Sequence, residues 1–251
     1  KFFADGTFGA HTAALYEPFS DAPEMAGFLL QPPEELLKMF QEAHGLGFQI
    51  ATHSIGDKSN ATLVDLYCQL PNPPDHSETP NFYRHRIEHA SMLTPETIKK
   101  AAEGNIVLSC QPSFINSEYS WLEGRLGKDR CPSVYPFRSI LDAGITLAGG
   151  SDAPVESANV IAGLDACVNR RGFVPVESLT FYEAISMYTR NAAFAIKQEN
   201  IRGSLEPGKI ADLVILDQNV VDLIPNQVPN LKILQTFHRG KLIFQIKNDD
   251  G

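Results

Sequence analysis

Residues 47–53, Gly-Phe-Gln-Ile-Ala-Thr-His, run through apolar positions into a histidine, and their neighbours on both sides decide the fold. Upstream, Pro32-Pro33-Glu34-Glu35-Leu36-Leu37-Lys38-Met39-Phe40 opens as a helix, since proline and acidic side chains suit a helix N-terminus. Downstream, 57–70 places Leu63, Leu66, Tyr67 and Leu70 at helical spacing, and the proline-rich stretch 71–80 reads as a loop. The unit then recurs. A strand at 84–89 ends on His89, and Thr94-Pro95-Glu96-Thr97 caps a following helix. A strand at 105–110 leads into Gln111-Pro112, and a longer excursion at 114–135 carries Trp121, the only tryptophan. A helix near 136–143 ends at Gly144, a strand at 145–150 delivers Ser151-Asp152, and helices follow near 159–170 and 178–196. Strands alternating with helices predict an α/β fold around a parallel sheet.

The texture changes at about residue 201. Gly203-Ser204-Leu205-Glu206-Pro207-Gly208-Lys209 is rich in turn formers, 211–217 reads as a strand, and 231–246 reads as two strands joined by His238-Arg239-Gly240-Lys241. Residues 1–200 therefore form the α/β part, and 201–251 an all-β appendage.

The 251 residues are 43% hydrophobic, enough for a sizeable core, and carry a net charge of −9. So acidic a chain is a poor partner for nucleic acid or an anionic membrane, both of which need clustered Lys and Arg. No apolar run reaches the roughly 18 residues of a membrane span. Lys1-Phe2-Phe3-Ala4-Asp5-Gly6 has neither the apolar stretch nor the cleavage site of a signal peptide. Cys68, Cys110, Cys131 and Cys167 are far apart, with no C-x-x-C pair, so they read as reduced thiols packed as small hydrophobes in a cytoplasmic protein. No phosphate loop of the Walker type, G-x-G-x-x-G after a strand, or G-x-S-x-G elbow occurs, which disfavours NTPases, Rossmann dehydrogenases and serine hydrolases.

In barrels of βα units, reactive groups project from the C-terminal ends of strands. Here His53, His89 and Asp152 stand at such ends, with Gln111 at a fourth. Imidazole and carboxylate suit a divalent ion such as zinc, manganese or iron. On spacing alone, metal ligation and ordinary structural hydrogen bonding remain equally open. His85 begins the strand that His89 ends. That separation is roughly 13 Å on a strand, so the pair cannot act as two histidines one helical turn apart do. Glu88 is expected to face away from His89, as a packing or supporting group, and His11, His44, His76 and His238 read as solvated loop or helix-end residues.

Lys1-Phe2-Phe3-Ala4-Asp5-Gly6-Thr7, His53-Ser54-Ile55-Gly56-Asp57, Arg84-His85-Arg86-Ile87-Glu88-His89-Ala90, Gln111-Pro112 and Gly150-Ser151-Asp152-Ala153-Pro154 together resemble amidohydrolase family 3 of the amidohydrolase superfamily. The segment 203–217 resembles the strand by which such enzymes return to a small β-sandwich. The resemblance implies the C-terminal half of a TIM-type (β/α)8 barrel plus part of that sandwich. It implies a divalent metal centre, zinc by preference, held by His53, His89 and Asp152, with Lys1 at the position of a carboxylated, metal-bridging lysine. The implied chemistry is hydrolysis of a non-peptide C–N bond in a small amide or N-formyl substrate: the metal activates water, and Asp152 serves as general base and then acid. Gln111 and His85 are candidate substrate contacts, and 114–135 a candidate pocket wall, with ordinary loop packing the equal alternative for Gln111 and 114–135. The family's H-x-H strand has no counterpart here. The chain is therefore expected to be inactive alone, and to self-associate or pair with a missing N-terminal half through open strand edges. A non-catalytic regulator on the same fold, or a deaminase or cyclic amidase, is the alternative reading.

Overall fold

The computed structural model describes residues 1–78, 81–220 and 223–246. Its first sheet has five parallel strands in sequence order: β1 (Phe2–Phe3), β2 (Ala51–Ser54), β3 (Arg86–His89), β4 (Val107–Cys110) and β5 (Leu147–Gly149). Helices α1 (Pro33–Gly45), α2 (Asp57–Tyr67), α3 (Pro95–Glu103), α4 (Phe114–Leu126) and α5 (Phe137–Asp142) fill the crossovers. After β5 come α6 (Val160–Val168), α7 (Phe181–Tyr188) and α8 (Arg190–Ala195). The predicted α/β class is present, and each strand is shorter than its apolar run suggested.

Register shows why the sheet has two unlike faces. Thr52, Ile87, Leu108 and Leu147 align across β2 to β5, and all four are fully buried, with the three aliphatic residues in the main core. The alternate row, Phe3, His53, Glu88, Ser109 and Ala148, carries most of the polar groups. Successive side chains on a strand point to opposite faces, so one pleat separates core from chemistry. Tyr67 on α2 ties the layers together: its hydroxyl donates to Thr52 Oγ1 at 2.7 Å and also lies 3.1 Å from the Arg86 carbonyl.

Two elements differ from expectation. The excursion 114–135 is largely helical, with α4 and a 3-10 turn at Lys128–Ser133. The helix expected over 178–196 is broken at Thr189 (φ −122°, ψ −98°) into α7 and α8. The three strands expected after residue 201 are present: β6 (Leu213–Leu216), β7 (Ile233–His238) and β8 (Lys241–Gln245) form an antiparallel sheet in that order, and residues 221–222 and 247–251 of the expected appendage lie outside the described residues. Arg239 and Gly240, both at positive φ (51° and 75°), make the two-residue turn between β7 and β8, whose twist matches that of the strands. All four cysteines are free, with Cys68 exposed and the others buried. Among the described residues no helix is long and apolar enough to cross a membrane.

Candidate metal centre

Construction of the site starts at Asp5, just beyond β1. Its carboxylate is buried and accepts from the backbone N–H groups of Ala14 (2.9 Å), Ile55 (3.0 Å) and Gly56 (2.9 Å). One side chain thus locks the loop after β1 to the loop after β2. Gly56 is required there, because a Cβ would lie 2.0 Å from the Ala14 carbonyl oxygen. Burial raises the Asp5 pKa to about 6, against the lowering effect of the three N–H donors.

His53, at the end of β2, lies against this bracket. Its Nε2 is 3.0 Å from the Gly6 carbonyl oxygen and 3.7 Å from Asp5 Oδ1. A carbonyl can only accept, so this contact assigns the proton to Nε2 and leaves Nδ1 with a free lone pair. His89, at the end of β3, meets His53 edge-to-face with ring centroids 4.5 Å apart. Its Nδ1 is buried without a hydrogen-bond partner. Burial is the main force depressing both pKa values, that of His89 to about 4; the neighbouring His53 adds to the effect on His89, and Asp152 opposes it in both rings. Neutral imidazole is the form that binds metal.

The pleat alone would not bring these rings together. His53 aligns with Glu88, whereas His89 aligns with Ser54. His89 (φ 73°) and Ala90 (φ 47°) enter the left-handed region and break the alternation where the strand ends. Asp152, after β5, is also left-handed (φ 56°). For residues other than glycine this conformation costs free energy and collects at functional sites.

His53, His89, Asp152 and Lys1 line one cavity of about 470 Å³. Lys1 and Asp152 are both exposed at its rim, and the Lys1 ammonium stands 5.1 Å from the centre of the Phe3 ring. Among the described residues no three His, Cys, Asp or Glu side chains are close enough to grip an ion together. The donors nevertheless fit a divalent metal: two neutral imidazoles in contact, one with an unpartnered buried nitrogen, and a carboxylate on the same cavity.

Gln111 and His85 fall elsewhere. Gln111 is buried beside His89, favouring its charged form; its Nε2 donates to the Ser109 carbonyl, and its Oε1 is unpartnered. His85 does not reach the cavity. Ile50 N–H donates to its Nδ1 (3.0 Å), and its Nε2 lies 2.9 Å from His44 Nδ1. Nδ1 therefore stays unprotonated, and His85 reads as a structural residue at the opposite end of β3. Glu88 shares the polar row with His53 and pairs with Arg86 at 2.7 Å. Sequence reasoning passed over Asp5 as a bracket, although its motif was in view. It also missed Glu118 and Tyr135, which line the cavity and stand in no recognisable pattern.

His85 gives a pH prediction. Burial, then the neighbouring His44, lowers its pKa to about 3 from 6.5. The unfolded chain then binds more protons between those values, so stability is lost as pH falls from about 6.5 toward 3. Unfolding free energies from denaturant titrations at pH 7.5 and 4.5 should show an acid loss that is smaller in His85→Gln than in the parent, by about 1–3 kcal/mol. Equal losses in the two proteins would remove His85 as the source.

Comparison with other proteins places this fold in a known family. The amidohydrolase family model matches residues 1–244, and the chain belongs to that family. YtcJ of Bacillus subtilis (strain 168) is 33% identical over 254 residues, covering 98% of this chain and 46% of YtcJ. The N-substituted formamide deformylase of Arthrobacter pascens is 28% identical over 212 residues, covering 81% of this chain and 38% of the enzyme. A metal-dependent hydrolase of Pyrococcus horikoshii OT3 superimposes with a TM-score of 0.78 at 33% identity, covering 90% of this chain and 45% of that one. The parallel sheet and its helices are thus part of a TIM-type barrel, and the chain spans 38% to 46% of the length of these relatives.

Proposed function

We propose that this chain carries the metal- and base-bearing half of a hydrolase that cleaves a non-peptide C–N bond in a small amide or N-formyl compound. The observation behind this reading is the His53–His89 ring pair opening on a cavity shared with Asp152. His53 and His89 would hold the ion, and Lys1, once carboxylated, would offer a further oxygen ligand at the rim; zinc is the ion this nitrogen and oxygen set suits best. A divalent cation there supplies Lewis acidity toward the scissile carbonyl. The Asp152 carboxylate takes a proton from the attacking water and returns it to the departing nitrogen. The Asp5–Gly6 bracket keeps the His53 tautomer fixed throughout. N-formyl compounds lead the substrate list because the Arthrobacter pascens relative is named as a formamide deformylase.

In this reading the protein works in the cytoplasm, and open edges at β1 and β5 pair with another copy or with further barrel strands. The test is hydrolysis of N-benzylformamide by the longest natural polypeptide containing this chain. Turnover that needs added zinc and collapses in Asp152→Asn supports the reading; turnover indifferent to both contradicts it.

A further inference from the structure

The wall of the cavity also holds a carboxylate with no part in the chemistry above. Glu118 lies on α4 one turn beyond Phe114, so both side chains project from the same stripe of the helix. Phe114 packs near His89, with ring centroids 6.1 Å apart, and Glu118 and Phe114 line the same cavity. The Tyr135 hydroxyl donates to Glu118 Oε2 at 2.5 Å. Tyr135 is itself fixed: it is buried, its backbone is left-handed (φ 51°), and its N–H donates to the Ser91 carbonyl (2.7 Å), two residues beyond His89. Among the described residues Tyr135 is the sole hydrogen-bond partner of Glu118, which leaves Oε1 unengaged. Much of the surrounding wall is apolar, including Phe3, Phe8, Ile55 and Val155. A carboxyl group in such a wall is costly unless something pairs with it.

Resting on the hydrolase reading, we propose that Glu118, oriented by Tyr135, is the substrate-selecting anchor: its free oxygen accepts a hydrogen bond from an amino or hydroxyl group on the far end of the substrate from the scissile bond. The preferred substrates are then N-acyl amines whose amine portion ends in a hydrogen-bond donor, held across an apolar span. Burial raises the Glu118 pKa to about 7, so a bound donor, and an ammonium most of all, favours the ionised form. Tyr135 acts through Glu118 and is a positioning residue.

The test uses three series of linear N-alkylformamides of increasing chain length, ending in methyl, hydroxyl or amine. Binding is measured by calorimetry on the zinc-loaded polypeptide, and turnover separately. At the best-fitting length both donor-terminated series should bind roughly tenfold or more tighter than the methyl series. In Glu118→Gln the Tyr135 hydroxyl still takes the side-chain oxygen and an N–H faces the ligand, so the amine preference should fall to near unity. Tyr135→Phe should weaken that preference while Glu118 remains. No donor preference at any length, or an amine preference that survives in Glu118→Gln, would overturn the anchor; survival would assign the preference to the general field of Asp152. Donor-selective binding without turnover would leave the anchor standing and count against the hydrolase reading alone.

Discussion

Asp152→Asn should lower kcat for N-benzylformamide by about 10²–10⁴-fold, the range that a positioned general acid–base supplies. The amide is nearly isosteric but cannot take a proton from water, so the loss belongs to chemistry more than to folding. Asp152 is exposed at the rim of the cavity, and no described side chain hydrogen-bonds to its carboxylate, so the fold should tolerate the change. The free energy of unfolding should change by less than about 0.5 kcal/mol, as for other surface positions. Asp152 also lies on the cavity as a candidate ligand, so zinc affinity should fall as well; assaying at saturating zinc separates the two effects. A variant within threefold of the parent kcat at saturating zinc would remove Asp152 from the proton-transfer role.

Asp5→Ala should be the most damaging single change to stability outside the apolar core. It strips the acceptor from three N–H groups at Ala14, Ile55 and Gly56. Leaving a buried donor unpaired costs about 1–3 kcal/mol each, and water entering the gap recovers part, so a loss of about 3–5 kcal/mol is expected in denaturant titrations. The raised pKa of Asp5 does not conflict with this. It compares charged with neutral carboxyl in an intact bracket, whereas the alanine removes the acceptor altogether. Because the bracket also supports His53, zinc affinity should fall in the same variant under conditions where it remains folded. A loss below about 1 kcal/mol would mean that the two loops hold together without Asp5.

The legible parts of this molecule are those governed by period and position. The positions of His53, His89 and Asp152 at or just past strand ends were legible because each ends an apolar run, and strand ends are where a parallel sheet opens to solvent. The β7–β8 hairpin was visible in His238-Arg239-Gly240-Lys241 because a two-residue turn demands positive φ. His85 was assigned as a substrate contact although it begins the strand that His89 ends, so the rule that reactive groups stand at C-terminal strand ends already pointed away from it. Its partners, Ile50 and His44, come from the residue before β2 and from α1. The Glu118–Tyr135 pair was hidden because its hydrogen bond joins a helix to a loop 17 residues away, with no periodic signal between them. The close approach of the His53 and His89 rings was also illegible, because it depends on a left-handed turn at His89 that no residue type there announces.

The most direct measurement is an anomalous diffraction map at the zinc edge from crystals of the zinc-loaded polypeptide. A single strong peak, or a close pair, bonded to His53 Nδ1 and to His89, with Asp152 on the same ion or pair, is the predicted result. Zinc bound elsewhere, or no peak between the two imidazoles at full loading, would contradict the assignment of this cavity as the metal centre.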